Sequence, residues 1–215
     1  MITDTMNFDE VLKELSKYDN ILNRRCIGWE KKYNKILRKL KINNNKVVAC
    51  QKIDTNTYFI LNLCKDKISY GFDLIYIYLR KNKWYALSTG EVNSLYGVKL
   101  DVYEPHLFER YKQRFGVDKT GVELIYDYFQ NNANIYKRHR TYTYNDKEYK
   151  ITNIKDGIAI IEKEITPKGA IWFYKTCLSD NLLKESQLSF KELIDEDINI
   201  MKELDSIWMT QKIRQ

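Results

Sequence analysis

The sequence predicts an α+β fold: an antiparallel β-sheet with helices packed on one side, preceded by N-terminal helices and followed by a long C-terminal helix. Three observations carry this. Runs rich in β-branched and aromatic residues recur between turn signals, with partial alternation of polarity. An amphipathic helix bounded by Pro105 and Gly116 falls between two groups of such runs. From Ser189 onward, Phe190, Leu193, Ile194, Ile198, Met201, Leu204, Ile207 and Trp208 recur at helical spacing as one apolar stripe.

At the N-terminus, Asn7 is placed to cap a helix starting at Phe8. Asp9 and Glu10 suit its positive end, and Val11, Leu12, Leu15 and Tyr18 form its apolar face. A second helical pattern spans 27–40, with Trp29, Tyr33, Ile36, Leu37 and Leu40 inward and five lysines and arginines outward. Strand patterns follow at Val47–Lys52, Thr57–Leu63, Phe72–Arg80, Lys83–Ser88 and Val98–Tyr103, and Lys81-Asn82 reads as the tight turn of a hairpin. After Gly116, Asp118 or Thr120 can cap a helix reaching about Asn131. Its apolar stripe is Val122, Ile125, Tyr126 and Phe129. Four further strands are expected at Tyr136–Tyr144, Lys147–Ile154, Gly157–Lys163 and Ala170–Leu178, separated by Asn145-Asp146, Lys155-Asp156-Gly157 and Pro167-Lys168-Gly169. A short helix at Asn181–Gln187 then precedes the long one. The expected division is 1–97, an N-terminal helical and β-meander region; 98–187, an α+β domain; and 188–215, an amphipathic helix.

With 44% apolar and 30% charged residues among 215, the chain has the make-up of a globular protein with a real core. Its N-terminus lacks the pattern of a signal peptide, and its apolar runs are too short to span a bilayer, so no membrane association is expected and a cytoplasmic location is. The four cysteines, Cys26, Cys50, Cys64 and Cys177, are scattered without a CxxC pair, which argues against structural zinc; Cys50 and Cys64 sit in strand runs and could face each other. Net charge is +7, yet Lys184–Asp205 holds seven acidic residues against three lysines, so the excess of positive charge lies in the body. A basic body with an acidic helical tail favours an anionic partner such as nucleic acid. Ordinary solubility charge explains the same numbers.

The chemistry-bearing residues are basic and polar. His106, Arg110 and Arg114 recur every four residues, a stripe spread over roughly 80° of the helix at about 100° per residue. Stacked like charges gain the helix nothing, so an anionic ligand is one explanation of the stripe and a solvated face is the other. On the strand at 136–144, Arg138, Arg140 and Tyr142 share one side, while Lys137, His139, Thr141 and Thr143 share the other. Lys175-Thr176 near the end of the last strand forms a third group. No phosphate loop, dinucleotide fingerprint, HExxH, GxSxG or EF-hand loop is present, two histidines exclude a multi-histidine metal centre, and no metal or other cofactor is expected. Metal-independent RNA cleavage needs groups of the types found. The 2′-hydroxyl attacks the adjacent phosphorus, a histidine moves protons, and guanidinium forks hold the phosphate. Tyrosines and arginine planes can stack unpaired bases.

The run Pro105-His106-x-x-x-Arg110-x-x-x-Arg114-Phe115-Gly116-Val117, the helix after it, and Trp172-Phe173-Tyr174-Lys175-Thr176-Cys177-Leu178 together resemble the barnase–EndoU–colicin–RelE-like ribonuclease and toxin group, which includes phage-borne members. The resemblance covers roughly 98–187. It implies an α+β fold and metal-independent RNA cleavage, with His106, Arg110, Arg114 and Thr176 at the catalytic positions. Arg138, Arg140, Thr141 and Lys175 would contact nucleic acid. The expected partner is therefore RNA or another nucleic acid, with a protein partner or self-association through the 190–208 helix beside it, and the expected location is bacterial cytoplasm or a phage particle. The competing expectation is a basic adaptor or packaged phage protein that binds without turnover.

Overall fold

Two antiparallel meanders, joined by one parallel strand pair, make a single nine-stranded sheet in the computed structural model. It describes residues 2–18, 28, 45–65, 70–88, 98–132, 139–144, 147–166 and 169–212, with side chains for all of these but 45–49, 62–65, 70–73, 98–99, 144, 201–202 and 204–212. The strands are β1 (Asn45–Asp54), β2 (Thr57–Lys65), β3 (Tyr70–Arg80), β4 (Lys83–Ser88), β5 (Val98–Tyr103), β6 (His139–Tyr144), β7 (Lys147–Ile154), β8 (Gly157–Thr166) and β9 (Gly169–Ser179). Their spatial order is β1-β2-β3-β4-β5-β9-β8-β7-β6, and only β5 and β9 run parallel. The fold class is α+β. The boundary expected between 97 and 98 falls inside this sheet, since β5 pairs with β4 on one side and β9 on the other.

Local chemistry accounts for three of the described turns. Lys81 and Asn82 both adopt positive φ, at 49° and 55°, the geometry of a two-residue turn that matches strand twist. Asp54 Oδ1 accepts from the Asn56 amide at 2.9 Å, closing the β1–β2 turn with a side chain. Asp156 takes φ 58° in the β7–β8 turn. The register places Cys50 opposite Ile60, and Cys64 opposite Asn45 and Gly71, so the two cysteines do not face each other.

Among the described residues four α-helices divide between the two sheet faces, rather than gathering on one. Helix α1 (Phe8–Ser16) has the expected cap: Asn7 Oδ1 accepts from the Glu10 amide at 3.0 Å, and the Asn7 amide donates to Glu10 Oε2 at 2.7 Å. Val11 and Leu15 of α1 are buried against Phe59, Leu61, Tyr76 and Leu87. The expected 27–40 helix lies outside the described residues except for Gly28. Helices α2 (Pro105–Phe115) and α3 (Gly121–Asn132) cover the opposite face. There Leu107, Phe108, Tyr111, Leu124, Ile125, Tyr128 and Phe129 pack on Ile60, Ile77, Tyr103, Tyr174 and Cys177. The buried stripe of α3 therefore includes Leu124 and Tyr128, with Val122 and Tyr126 half-buried at its margin. The parallel pair is knit by Tyr103 stacked on Tyr174, ring centres 4.3 Å apart.

A 3-10 turn at Asp180–Leu182 leads into α4 (Glu185–Lys212), which starts four residues before Ser189. Ser189 is interior rather than first: its hydroxyl donates back to the Glu185 carbonyl at 3.1 Å, one turn earlier in the same helix. The start is instead closed by Gln187, whose Oε1 accepts from the Lys184 amide at 3.0 Å. Of the expected apolar stripe, Ile194 and Ile198 are buried against Ile151 and Ile158, on the sheet face that α1 also occupies, whereas Leu193 is 43% exposed. The side chains of the stripe from Met201 onward lie outside those described.

Candidate phosphate-handling site

Helix α2 begins where β5 ends. Pro105 occupies its first turn, where a missing N–H costs nothing, and Gly116 closes it at φ 65°, with the Val117 amide donating to the Lys112 carbonyl at 3.1 Å. Burial of Leu107, Phe108 and Tyr111 turns the His106–Arg110–Arg114 stripe onto one flank. Lys112 and Glu109 lie toward the other, where a cleft of about 230 Å³ opens against Trp84 and Gly121.

Along the stripe, distance from the sheet sets the environment of each residue. Arg114 is half-buried, and its Nη1 donates to the Cys177 carbonyl of β9. Beyond Tyr174, β9 has lost β5 as a neighbour and pairs only with β8, so Arg114 binds backbone at a place where the sheet has opened. Burial pushes the Cys177 thiol up to about 12, with the Arg114 charge pulling the other way. Arg110 donates from Nε to His106 Nε2 at 3.3 Å and from Nη1 to Gln113 Oε1 at 2.8 Å. His106 is exposed, and its Nδ1 lies 3.8 Å from Glu109 Oε2. Since Nε2 accepts, this hydrogen-bond network assigns the imidazole proton to Nδ1, on the side of the Glu109 carboxylate. Glu109 and Gln113 were not among the residues the sequence singled out. The His-x-x-Glu spacing was the available signal.

A β-bulge in β9 decides where Thr176 points. Ile160 pairs with Thr176 and Ile161 with Tyr174, leaving Lys175 as the extra residue. Tyr174 and Cys177 consequently face the same core although three positions apart. Lys175 and Thr176 both line a cleft on the opposite, α4 side of the sheet. Lys175 Nζ sits 2.6 Å from Glu104 Oε1 and 3.7 Å from Glu162 Oε2. Hydrogen bonding from Lys147, opposed by partial burial and helped by Lys175, holds the Glu162 carboxyl below its ordinary range.

The β6 residues divide between the faces as alternation predicts. Arg140 points to α4 and pairs with Asp197, Nη2 to Oδ2 at 2.7 Å. Thr141 points to the other face and accepts from Lys150 at 3.2 Å. His139 lies there too, its ring 4.6 Å from that of Trp172. Arg138 lies outside the described residues. The structure thus joins Arg114 to β9 and His106 to Arg110, and it gathers Lys175 and Thr176 in a separate cleft; neither of the two clefts is lined by the stripe. No family model, curated protein or solved structure matches this chain. Among the described residues, no group of three or more His, Cys, Asp or Glu side chains could hold a metal ion, and no helix is long and apolar enough to cross a membrane.

Proposed function

We propose that this chain is a metal-independent, ribonuclease-like protein acting on RNA phosphodiesters, of toxin or phage-borne character, with the α2 stripe as its reactive centre. The observation that carries the reading is the His106–Arg110 pair. The imidazole presents Nε2 as an acceptor, 3.3 Å from a guanidinium with a fork suited to phosphate. A phosphate that accepts from Arg110 draws the guanidinium off Nε2 and leaves that lone pair for the 2′-hydroxyl proton. The 2′-oxygen then bonds to phosphorus, the bond to the 5′-oxygen breaks, and the departing oxygen takes its proton from solvent, giving a 2′,3′-cyclic phosphate and a 5′-hydroxyl end. Glu109 steadies the imidazolium formed. Arg110, with Arg114 adjoining, offsets charge on the phosphate. Lys175, Thr176 and Arg140 contribute by contact with the rest of the strand.

Cleavage of labelled single-stranded RNA in EDTA tests this directly. Wild type should leave 2′,3′-cyclic phosphate ends, and His106→Ala should remove the activity with the melting temperature within about 2 °C of wild type, as befits an exposed side chain. Undiminished cleavage by His106→Ala would sink the assignment. A second reading, an adaptor that binds nucleic acid or protein without turnover, draws on one observation: Arg140 and Lys175 already hold Asp197, Glu104 and Glu162 as ion-pair partners. It expects salt-sensitive binding and no new RNA ends.

A further inference from the structure

The cleft on the α4 side of the sheet has a volume of about 380 Å³, within the range of ligand pockets. Tyr142, Tyr149 and Ile160 contribute rings and apolar surface; Lys175, Thr176, Lys184 and Gln187 supply the polar groups. Those polar groups are weighted toward donors. Gln187 spends its carbonyl oxygen on the Lys184 amide at 3.0 Å, which leaves its NH₂ to donate. Lys184 is exposed and has no ion-pair partner among the described residues. A third ammonium, Lys147, stands 5.2 Å over the Tyr149 ring while holding Glu162 at 2.7 Å. The three ammoniums of Lys147, Lys175 and Lys184 therefore meet two carboxylates, Glu104 and Glu162, leaving an excess of positive charge beside aromatic surface.

We propose that this cleft binds a nucleoside monophosphate unit, with its base against Tyr149 and Tyr142, its phosphate on Lys184 and Lys175, and the Thr176 hydroxyl and Gln187 amide on the acceptors of the base edge. A ring system carrying one phosphate satisfies both the aromatic surface and the unbalanced charge, whereas a bare anion uses only the second. The same unit can arrive as a free mononucleotide or as one unpaired residue of an RNA strand. The β9 bulge is what completes the site: Lys175 alternates with the core-facing Tyr174 onto the α4 side, and the bulge keeps Thr176 beside it where regular alternation would have sent that residue to the α2 face. The choice of a nucleotide rests on the ribonuclease reading, but the binding claim concerns residues that neither move the proton nor hold the scissile phosphate in it.

The test is calorimetric titration of the full chain with each of the four nucleoside 5′-monophosphates, with inorganic phosphate, and with a non-cleavable 2′-O-methyl RNA hexamer. At least one mononucleotide should bind one-to-one, inorganic phosphate at least tenfold more weakly, and Lys184→Ala and Tyr149→Leu should each weaken binding roughly tenfold. A hexamer that binds more tightly than any mononucleotide identifies the strand as the source; equal affinity identifies the free nucleotide. Absence of nucleotide and hexamer binding, phosphate binding as tight as the nucleotides, or unchanged affinity in Lys184→Ala would overturn the proposal; Lys184 is exposed, and an unchanged melting temperature shows that its alanine variant is folded. His106→Ala separates the two claims. It should retain nucleotide binding, so loss of cleavage without loss of binding supports both, while persistent cleavage in it removes only the catalytic assignment.

Discussion

Replacing Gly157 by alanine should unseat the joint between the last two strands and the end of α2. A Cβ at Gly157 would stand 2.1 Å from the Leu178 carbonyl oxygen and 3.0 Å from Phe115 Cζ. The first contact involves backbone, so relief requires β8 and β9 to part by nearly 1 Å at the Gly157–Ser179 and Ile158–Leu178 pairs. Two weakened ladder bonds at about 1 kcal/mol each, plus overpacking of about 1–3 kcal/mol, give a loss of roughly 3–5 kcal/mol. For a chain of this length each kcal/mol lowers the melting temperature by about 2–4 °C, so a fall of roughly 6–20 °C is expected. Thermal unfolding followed by circular dichroism measures it. Gly116→Ala is the control: nothing lies within 4 Å of its Cβ, and only the positive φ of 65° is penalised, at about 1–2 kcal/mol. If Gly157→Ala melts within 2 °C of wild type, or falls no further than Gly116→Ala, the close approach does not hold this joint together.

Three other outcomes follow from burial and charge. Ile194→Ala should cost about 2–4 kcal/mol in denaturant unfolding, whereas Leu193→Ala, one residue away and 43% exposed, should cost well under 1; comparable losses would mean that α4 sits in another rotation. Burial raises the Asp127 carboxyl, but hydrogen bonds from Lys119 and Tyr111 overcome it and hold the group below the ordinary aspartate range. A depressed folded value contributes stability that is present above the unfolded value and is lost as pH falls through the folded one. Asp127→Asn should therefore flatten the dependence of melting temperature on pH below about 4, and an unaltered acid limb would contradict the pairing. Cys177, wholly buried with its thiol raised to about 12, should resist alkylation at pH 8 in the native state and react once guanidinium unfolds the chain; site-resolved mass spectrometry showing rapid native labelling would refute that.

The sequence was most informative where a residue dictates its own backbone. Pro105 and Gly116 marked both ends of α2, Asn7 marked the start of α1, and Lys81-Asn82 marked a hairpin, because each carries its conformational preference locally. What depended on distant partners was hidden. The pairing of β5 with β9 joins residues 71 positions apart, Val98 with Gly169, and no periodicity reports it. The bulge at Lys175 was equally silent, though it decides which face receives Thr176. Ser189 marked the start of the periodic stripe yet spends its hydroxyl inside the helix. Of the site, the stripe was legible as a spacing. The closeness of Arg114 to β9 was not, since it follows from how far Leu107 and Tyr111 sink into the core.

The parallel pair also bears on the order in which the molecule assembles. Each meander is built from contacts between neighbouring strands and can form early, but β5 can meet β9 only after the loop between them has closed, including α2, α3 and three strands. Its hold on the other side is slight, three residue pairs with β4 against six with β9. β5 should thus behave as a late-closing seam, with amides that exchange with solvent faster than those at the heart of β8 and β9. Because α2 starts at the end of this strand, the His106–Arg110 pair would be among the last parts of the molecule to take its place.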